Sequence, residues 1–217
     1  MTMIQENIRA VLDELPRGVE LVVVIKGRSL EEIEAAINGG AAIIGENYIQ
    51  ETERLKASLS ANVTWHFIGH LQKNKVKKAV ELFDLIETVD SLELACEIDK
   101  RSASVGKIMP VLIEVNSGRE PNKSGVLPAE VIELAQSIAP LHNIRLLGLM
   151  TMGPLVDTPE DIRPCFKLTC QIFKEIKQLN IPNVEMRYLS MGMTESWRIA
   201  IEEGANLVRI GRGIFSN

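Results

Sequence analysis

Hydrophobic positions along this chain fall into two alternating regimes. Short aliphatic runs without polar alternation are separated by stretches in which apolar residues recur every three or four positions. The first pattern predicts strands buried on both faces and the second amphipathic helices, and their alternation predicts parallel βα units. Eight strand-like runs occur, at 21–25, 41–45, 64–68, 84–89, 108–115, 144–150, 186–190 and 206–210.

Start and stop signals support the helices between them. Ser29-Leu30-Glu31-Glu32 reads as a capping box, and Ile33, Ala36 and Ile37 extend an apolar stripe until Asn38-Gly39-Gly40 ends it. Pro128 suits the first turn of a helix whose apolar face carries Val131, Ile132, Leu134 and Ala135. Thr158-Pro159-Glu160-Asp161 opens a long helix reaching about residue 179, with Pro164 as a reason for a later true start. Eight strands, seven intervening helices and an amphipathic segment at 3–15 predict an α/β fold, a (β/α)8 TIM-type barrel. Residues 1–217 form a single domain in this reading, and the amino-terminal helix completes the outer ring. An open doubly wound sheet is the runner-up, weakened because Lys26-Gly27-Arg28-Ser29 stands where G-x-G-x-x-G would follow the first strand.

Composition fits one α/β domain with a substantial core: 46% of the 217 residues are hydrophobic. With 24 basic and 29 acidic residues, the net charge of −5 argues against general attraction to nucleic acid or anionic membrane. The lack of a long apolar run and of a signal-peptide pattern at the start sets the expectation of a soluble, cytoplasmic protein. Cys96, Cys165 and Cys170 are odd in number and form no C-x-x-C pair, so they read as reduced and mostly structural. His66 and His70 have the i, i+4 spacing of a helical metal site, but they follow a strand-like run, and no metal is expected.

The candidate chemistry gathers at strand ends, where barrels of this kind place their active sites. Lys26 follows the buried run Leu21-Val22-Val23-Val24-Ile25. Partial desolvation there would favour the neutral amine needed for a Schiff base with an aldehyde. A rim lysine in a salt bridge suits the same position. After strand seven, Ser190-Met191-Gly192-Met193-Thr194 leads into a helical stretch; after strand eight comes Arg209-Ile210-Gly211-Arg212-Gly213. Hydroxyls, glycines and a helix amino terminus are the parts of an anion site, although an N-cap and an ordinary turn share that grammar. Arg209 interrupts a strand that should be buried, and a buried guanidinium needs a partner. If its face and that of Val22, Val24 and Lys26 both point inward, Lys26 and Arg209 approach one another; a structural pair with Glu114 is the alternative. Asn47, at a strand end, ranks above His66 and His70 as a ligand contact. Segment 116–125 reads as a rim loop, and Lys73, Lys75, Lys77 and Lys78 as the solvated start of a helix.

Five ordered segments resemble the pyridoxal phosphate homeostasis protein family, whose fold is that of the amino-terminal barrel of alanine racemase. They are Gly45-Glu46-Asn47-Tyr48-Ile49-Gln50-Glu51, the stretch from Trp65 to Lys75, Gly148-Leu149-Met150-Thr151, Leu189-Ser190-Met191-Gly192-Met193 and Val208-Arg209-Ile210-Gly211. The resemblance implies that Lys26 holds pyridoxal 5′-phosphate as an internal aldimine. It further implies that Ser190, Gly211 and neighbouring amides bind the phosphate, with Gly192, Thr194 and Arg212 in the same cofactor-binding set. Arg209 would face the pyridine nitrogen and Asn47 would lie near the phenolic oxygen. Two departures stand out: family members usually place a threonine after the lysine, where this chain has Gly27-Arg28, and the chain stops at Ile214-Phe215-Ser216-Asn217.

The implied role is reversible binding and delivery of the cofactor, with little or no turnover and no catalytic residue assigned. The alternative is a pyridoxal phosphate-dependent amino-acid racemase or related enzyme. A ring nitrogen facing arginine is a poorer electron sink than one paired with a carboxylate, and racemisation needs a second base. Alanine racemase takes that base from a second domain, for which one barrel filling 217 residues is expected to leave no room. A Schiff-base aldolase acting on a phosphorylated sugar is a third reading, disfavoured by the motif matches. Implied partners are pyridoxal phosphate and its dependent apoenzymes, with no nucleic acid and no membrane, in a monomer or weak dimer.

Overall fold

In the computed structural model, which describes residues 2–59, 61–154 and 156–216, eight parallel strands close into a barrel in sequence order. They are β1 (Glu20–Val24), β2 (Ile43–Glu46), β3 (Thr64–Phe67), β4 (Leu85–Val89), β5 (Met109–Glu114), β6 (Ile144–Met150), β7 (Val184–Ser190) and β8 (Leu207–Ile210). The seam closes between β1 and β8, with Val22 opposite Arg209. The expected TIM-type architecture is therefore what the chain adopts. The predicted ends shift by up to two residues; β2 begins at Ile43 and takes in Glu46 as its last residue. Asn217, the end of the last segment noted above, and Met1 lie outside the described residues.

Seven α-helices connect successive strands: α2 (Leu30–Gly39), α3 (Ile49–Ser58), α4 (Val76–Leu82), α5 (Leu92–Ser104), α6 (Val131–Ile138), α7 (Arg163–Gln178) and α8 (Trp197–Glu202). Their local grammar is as read. Glu32 N–H donates to Ser29 Oγ while Ser29 N–H donates to Glu32, and Gly40 closes α2 at φ +116°. Thr158 caps a single 3-10 turn, and α7 starts only at Arg163 with Pro164 in its first turn. The amino-terminal helix α1 (Met3–Glu14) packs against α2 and against a short terminal helix, α9 (Arg212–Phe215), which the sequence pattern did not announce. Asn7 ties the two ends by donating to the Ile214 carbonyl at 3.0 Å. Among the described residues no helix is long and apolar enough to cross a membrane.

Two hydrophobic layers result from strand alternation. Outward-facing residues such as Val23, Ile44, Phe67, Ile86, Val111, Leu149 and Val208 pack under the helices in the main core. Inside the barrel, Leu85, Leu112, Leu147 and Met150 form a separate apolar plug with Tyr188 against it. Above that plug the interior changes character. One step of alternation nearer the mouth, Leu85 gives way to Glu87, Leu112 to Glu114, Tyr188 to Ser190 and Leu207 to Arg209, all buried save the half-buried Tyr188.

The β5–β6–β7 region is irregular because register shifts on both sides of Gly148. A Cβ at Gly148 would stand 1.8 Å from the Tyr188 carbonyl oxygen, on a backbone at φ +149°. Gly148→Ala is therefore expected to destabilise the fold by about 3 kcal/mol or more. Urea unfolding checks this, and a loss below about 1 kcal/mol would show that β7 moves aside freely.

Candidate functional site

The polar interior layer is one connected network. His66 Nδ1 lies 2.7 Å from Glu87 Oε1; Glu87 Oε2 accepts from Ser190 Oγ at 2.6 Å; Ser190 Oγ in turn accepts from Arg209 Nη1 at 2.5 Å. Arg209 Nη2 donates to the Thr151 carbonyl at 2.9 Å, and the Thr151 hydroxyl donates to the Val115 carbonyl and contacts Ser117 Oγ, both at 2.8 Å. The chain of bonds links β3, β4, β7 and β8 to the ends of β6 and β5. Burial by itself raises the Glu87 pKa, but hydrogen bonding and charge from His66, with Arg209 and Ser190, hold it below the ordinary carboxylate value. Arg209 is pushed the other way by burial, against the attraction of Glu87 and Glu114.

This arrangement revises the expected partner of Arg209. Its nearest acid is Glu87, at 3.8 Å, and Glu114 acts on it only as a further charge. His66, ranked below Asn47 as a ligand contact, is held by the Glu87 carboxylate. Lys26 and Arg209 do not meet in register. Arg209 pairs with Val22, and Lys26 lies four residues further on, in the turn beyond the end of β1.

Lys26 begins the turn that leaves β1, with Gly27 at φ +69° and Arg28 N–H closing onto the Ile25 carbonyl at 2.9 Å. A left-handed residue at 27 explains why glycine follows the lysine. The amine is exposed rather than desolvated, contrary to the expectation for a strand-end lysine. Its Nζ stands 5.5 Å from the centre of the Tyr48 ring, and it attracts the carboxylate of Glu46. Glu46 is fully buried, and burial raises its pKa although Asn47 N–H and Tyr48 N–H donate to Oε1 at 2.5 and 3.0 Å. Its Oε2 and the Asn47 Oδ1 are buried without a hydrogen-bond partner. These two acceptors are the polar atoms beside Lys26 that the fold leaves unpaired.

The loops after β7 and β8 join. Gly213 N–H donates to Thr194 Oγ1 at 3.2 Å, so Thr194 links the β7 loop to α9. Gly192, at φ +94°, abuts α8: a Cβ there would approach Ala200 Cβ to 2.6 Å and Trp197 Cα to 2.8 Å. Gly211 opens α9 against Val24, which carries β1 toward Lys26. Arg212 is exposed at the same corner. Ser190 belongs to the buried network rather than to this rim, since its hydroxyl is engaged by both Glu87 and Arg209. The expected set therefore divides: Lys26 and Asn47 on one arc, Thr194, Gly211 and Arg212 next to it, Ser190 and Arg209 beneath.

Glu87 is the residue that the reading of the sequence passed over. Its signal was present, an isolated acid within Leu85-Ile86-Glu87-Thr88-Val89, the same signal that singled out Glu114 and Arg209. Glu114 lines a cavity of about 270 Å³ between the ends of β3 and β6, as Asn47 also does. Burial, with Asp90 adding repulsion and Arg209 opposing both, raises the Glu114 pKa to about 7.

The alanine racemase N-terminal domain family matches residues 1–216. The pyridoxal phosphate homeostasis protein of Aquifex aeolicus is 38% identical over 219 residues, covering 99% of this chain and 95% of that protein. This chain belongs to that family. PipY of Synechococcus elongatus, solved without pyridoxal phosphate, superposes with a TM-score of 0.93 at 33% identity, covering 98% of this chain and 100% of PipY. The same protein with the cofactor bound gives 0.91 at 32% identity and the same coverage. The family resemblance read from the five motifs is thereby established, and with it the fold.

Two outcomes follow for this family member. Glu87→Ala strips Arg209 of its nearest counter-charge and His66 of its acceptor, and is expected to cost about 3–5 kcal/mol in urea unfolding; a loss under about 1 kcal/mol would make the network dispensable. Glu114 has a raised pKa, so the folded state holds its proton between the ordinary 4.5 and about 7. Its contribution is intact below 4.5 and lost as pH rises to about 7, up to about 3 kcal/mol in all. Glu114→Gln should remove that slope from the stability profile, leaving the variant more stable relative to wild type on the alkaline side than on the acid side.

Proposed function

We propose that this protein holds pyridoxal 5′-phosphate reversibly on Lys26 and serves intracellular homeostasis of that cofactor, storing and delivering it to apoenzymes without turning over a substrate. Membership in a family named for that role, and a cofactor-bound PipY of the same fold, support the binding. The residues fit the group. An exposed primary amine stands beside two buried acceptors that lack partners, a guanidinium lies beneath, and a hydroxyl-and-glycine rim adjoins it. When bound, the cofactor supplies an aldehyde that condenses with an amine as a Schiff base.

Each residue then has a task. Lys26 is the amine; Gly27 turns the chain so that the side chain stays at the mouth. Asn47 contacts the ring, and Glu46 fixes Asn47 by accepting its backbone N–H. Thr194, Gly192, Gly211 and Arg212 form the phosphate corner. Arg209 would face the ring nitrogen, kept charged by Glu87 and oriented by its bond to Ser190 Oγ, and Ser190 would lead into the phosphate corner through Met191 and Gly192. A cation at that nitrogen disfavours protonating it, so the ring is a poor electron sink.

The observation that carries the storage role is the place of Lys26, on a turn at the mouth of the barrel beyond the end of β1. Enzymes of carbanion chemistry close their sites against water, whereas an open amine lets water and incoming amines reach the bond and reverse it. A racemase reading has no second observation in its favour.

Incubation with pyridoxal phosphate followed by borohydride reduction and peptide mass spectrometry should place the adduct on Lys26, and Lys26→Ala should abolish it. An adduct confined to other lysines would overturn the assignment. Arg209→Ala is expected to weaken cofactor binding about tenfold or more in a spectroscopic titration, and unchanged affinity would remove Arg209 from the site. Sustained multiple-turnover racemisation of L-alanine by the loaded protein would defeat the storage role.

A further inference from the structure

The cavity between the ends of β3 and β6 is distinct from the surroundings of Lys26 and shares only Asn47 with them. Its polar inventory is lopsided. Glu114 is only 8% exposed and lines the cavity; its backbone carbonyl accepts from Val126 N–H, but its carboxylate accepts no hydrogen bond among the described residues. Asn47 also lines the cavity, and its Oδ1 is buried without a partner. The wall's cationic side chain is already committed: Lys123 pairs with Glu120 at 2.5 Å and donates to the Gly153 carbonyl at 3.2 Å. The hydroxyls are committed too, Thr88 to the Gly69 carbonyl and Ser117 to Thr151. Beside the exposed side chains of Asn122 and His70 at its rim, what the buried part of the cavity offers a ligand is thus unpaired acceptors, one of them a carboxylate, with the charge of Asp90 nearby.

An unpaired carboxylate at this depth is costly unless it is protonated or meets a donor. A cationic donor satisfies it best, because a charge-assisted hydrogen bond is about twice as strong as a neutral one. A metal ion does not fit: among the described residues no group of three histidine, cysteine, aspartate or glutamate side chains converges. The remaining wall is apolar, from Ile68, Val115 and Met152, and suits a short aliphatic body.

We propose that this cavity binds a small primary ammonium compound, its nitrogen on Glu114 and Asn47 Oδ1 and its carbon chain against Ile68, Val115 and Met152. The ammonium group brings three donors, enough for both acceptors with one left for water or a backbone carbonyl. The volume of about 270 Å³ limits the ligand to the size of a short alkylamine or small amino acid. Occupancy does not depend on Lys26. Through Asn47, however, a bound amine shares a wall with the cofactor site and is placed beside it.

The test uses the full chain free of cofactor, so that its outcome is separate from the Lys26 assignment. Methyl NMR is recorded while n-propylamine or n-butylamine is added, with 1-propanol and 1-butanol, which carry no charge, as matched controls. The amines are expected to shift the Ile68, Val115 and Met152 methyl signals with affinities roughly tenfold or more above those of the alcohols. Glu114→Gln, shown folded by its methyl spectrum, should bring amine and alcohol within about threefold of each other. Equal binding of amines and alcohols to wild type, no binding of the amines, or an undiminished preference in Glu114→Gln would each overturn the proposal. The comparison of amine with alcohol on the wild-type chain decides the matter even if the variant does not fold.

Discussion

A guanidinium placed inside a closed barrel sets the terms for everything around it. Arg209 arrives at the interior because strand alternation leaves it no other face: Leu207 below it fills the barrel, and Val208 and Ile210 on either side pack outward under the helices. Desolvating that charge costs several kcal/mol, and only geometry that satisfies its donors recovers the cost. Glu87, Ser190 and the Thr151 carbonyl provide it, on three different strands. Each then needs its own complement, so His66 attaches to Glu87 and Ser117 to Thr151. One buried charge thereby aligns the carboxyl ends of six strands.

The apolar plug beneath this layer makes the network necessary. Leu85, Leu112, Leu147 and Met150 offer the polar layer only apolar side chains, so its groups satisfy one another. It follows that the charges are fixed in position, which is what a binding site at the mouth requires of its floor. The mouth itself is looser. Lys26, Tyr48 and Arg212 are exposed, and Glu46 reaches them only through the backbone it caps.

The fold was legible because it is written in local signals. Capping at Ser29, the glycine stop at Gly40 and the alternation of apolar runs depend on neighbours a few residues away, and these are visible in a single chain. Pairings across the barrel are not. Arg209 and Glu114 both announced themselves as charges in apolar strands, yet which acid meets the arginine depends on strand register and barrel stagger, and the answer was Glu87. The approach of Lys26 to Arg209 was drawn from side-chain parity alone, whereas register sets Val22 beside Arg209 and carries Lys26 past the end of β1. Gly192 was read as a ligand contact, whereas the structure also gives it a packing cause against Trp197 and Ala200 that no motif discloses. The cavity at Glu114 had no signature at all, because it is bounded by residues from five separate strand ends.

What the site can hold is then decided by subtraction. The network consumes the donors and acceptors of His66, Glu87, Ser190 and Arg209 among themselves, so these residues present a charged surface but few free hydrogen-bonding atoms. The atoms left over are Glu114 within the same layer and, toward the mouth, Glu46 Oε2, Asn47 Oδ1 and the amine of Lys26. Three of these are acceptors and one is a nucleophile. A ligand bearing a carbonyl for the amine and a ligand bearing donors for the acceptors answer the two needs separately, and Asn47, placed between them, is the side chain through which one is felt by the other.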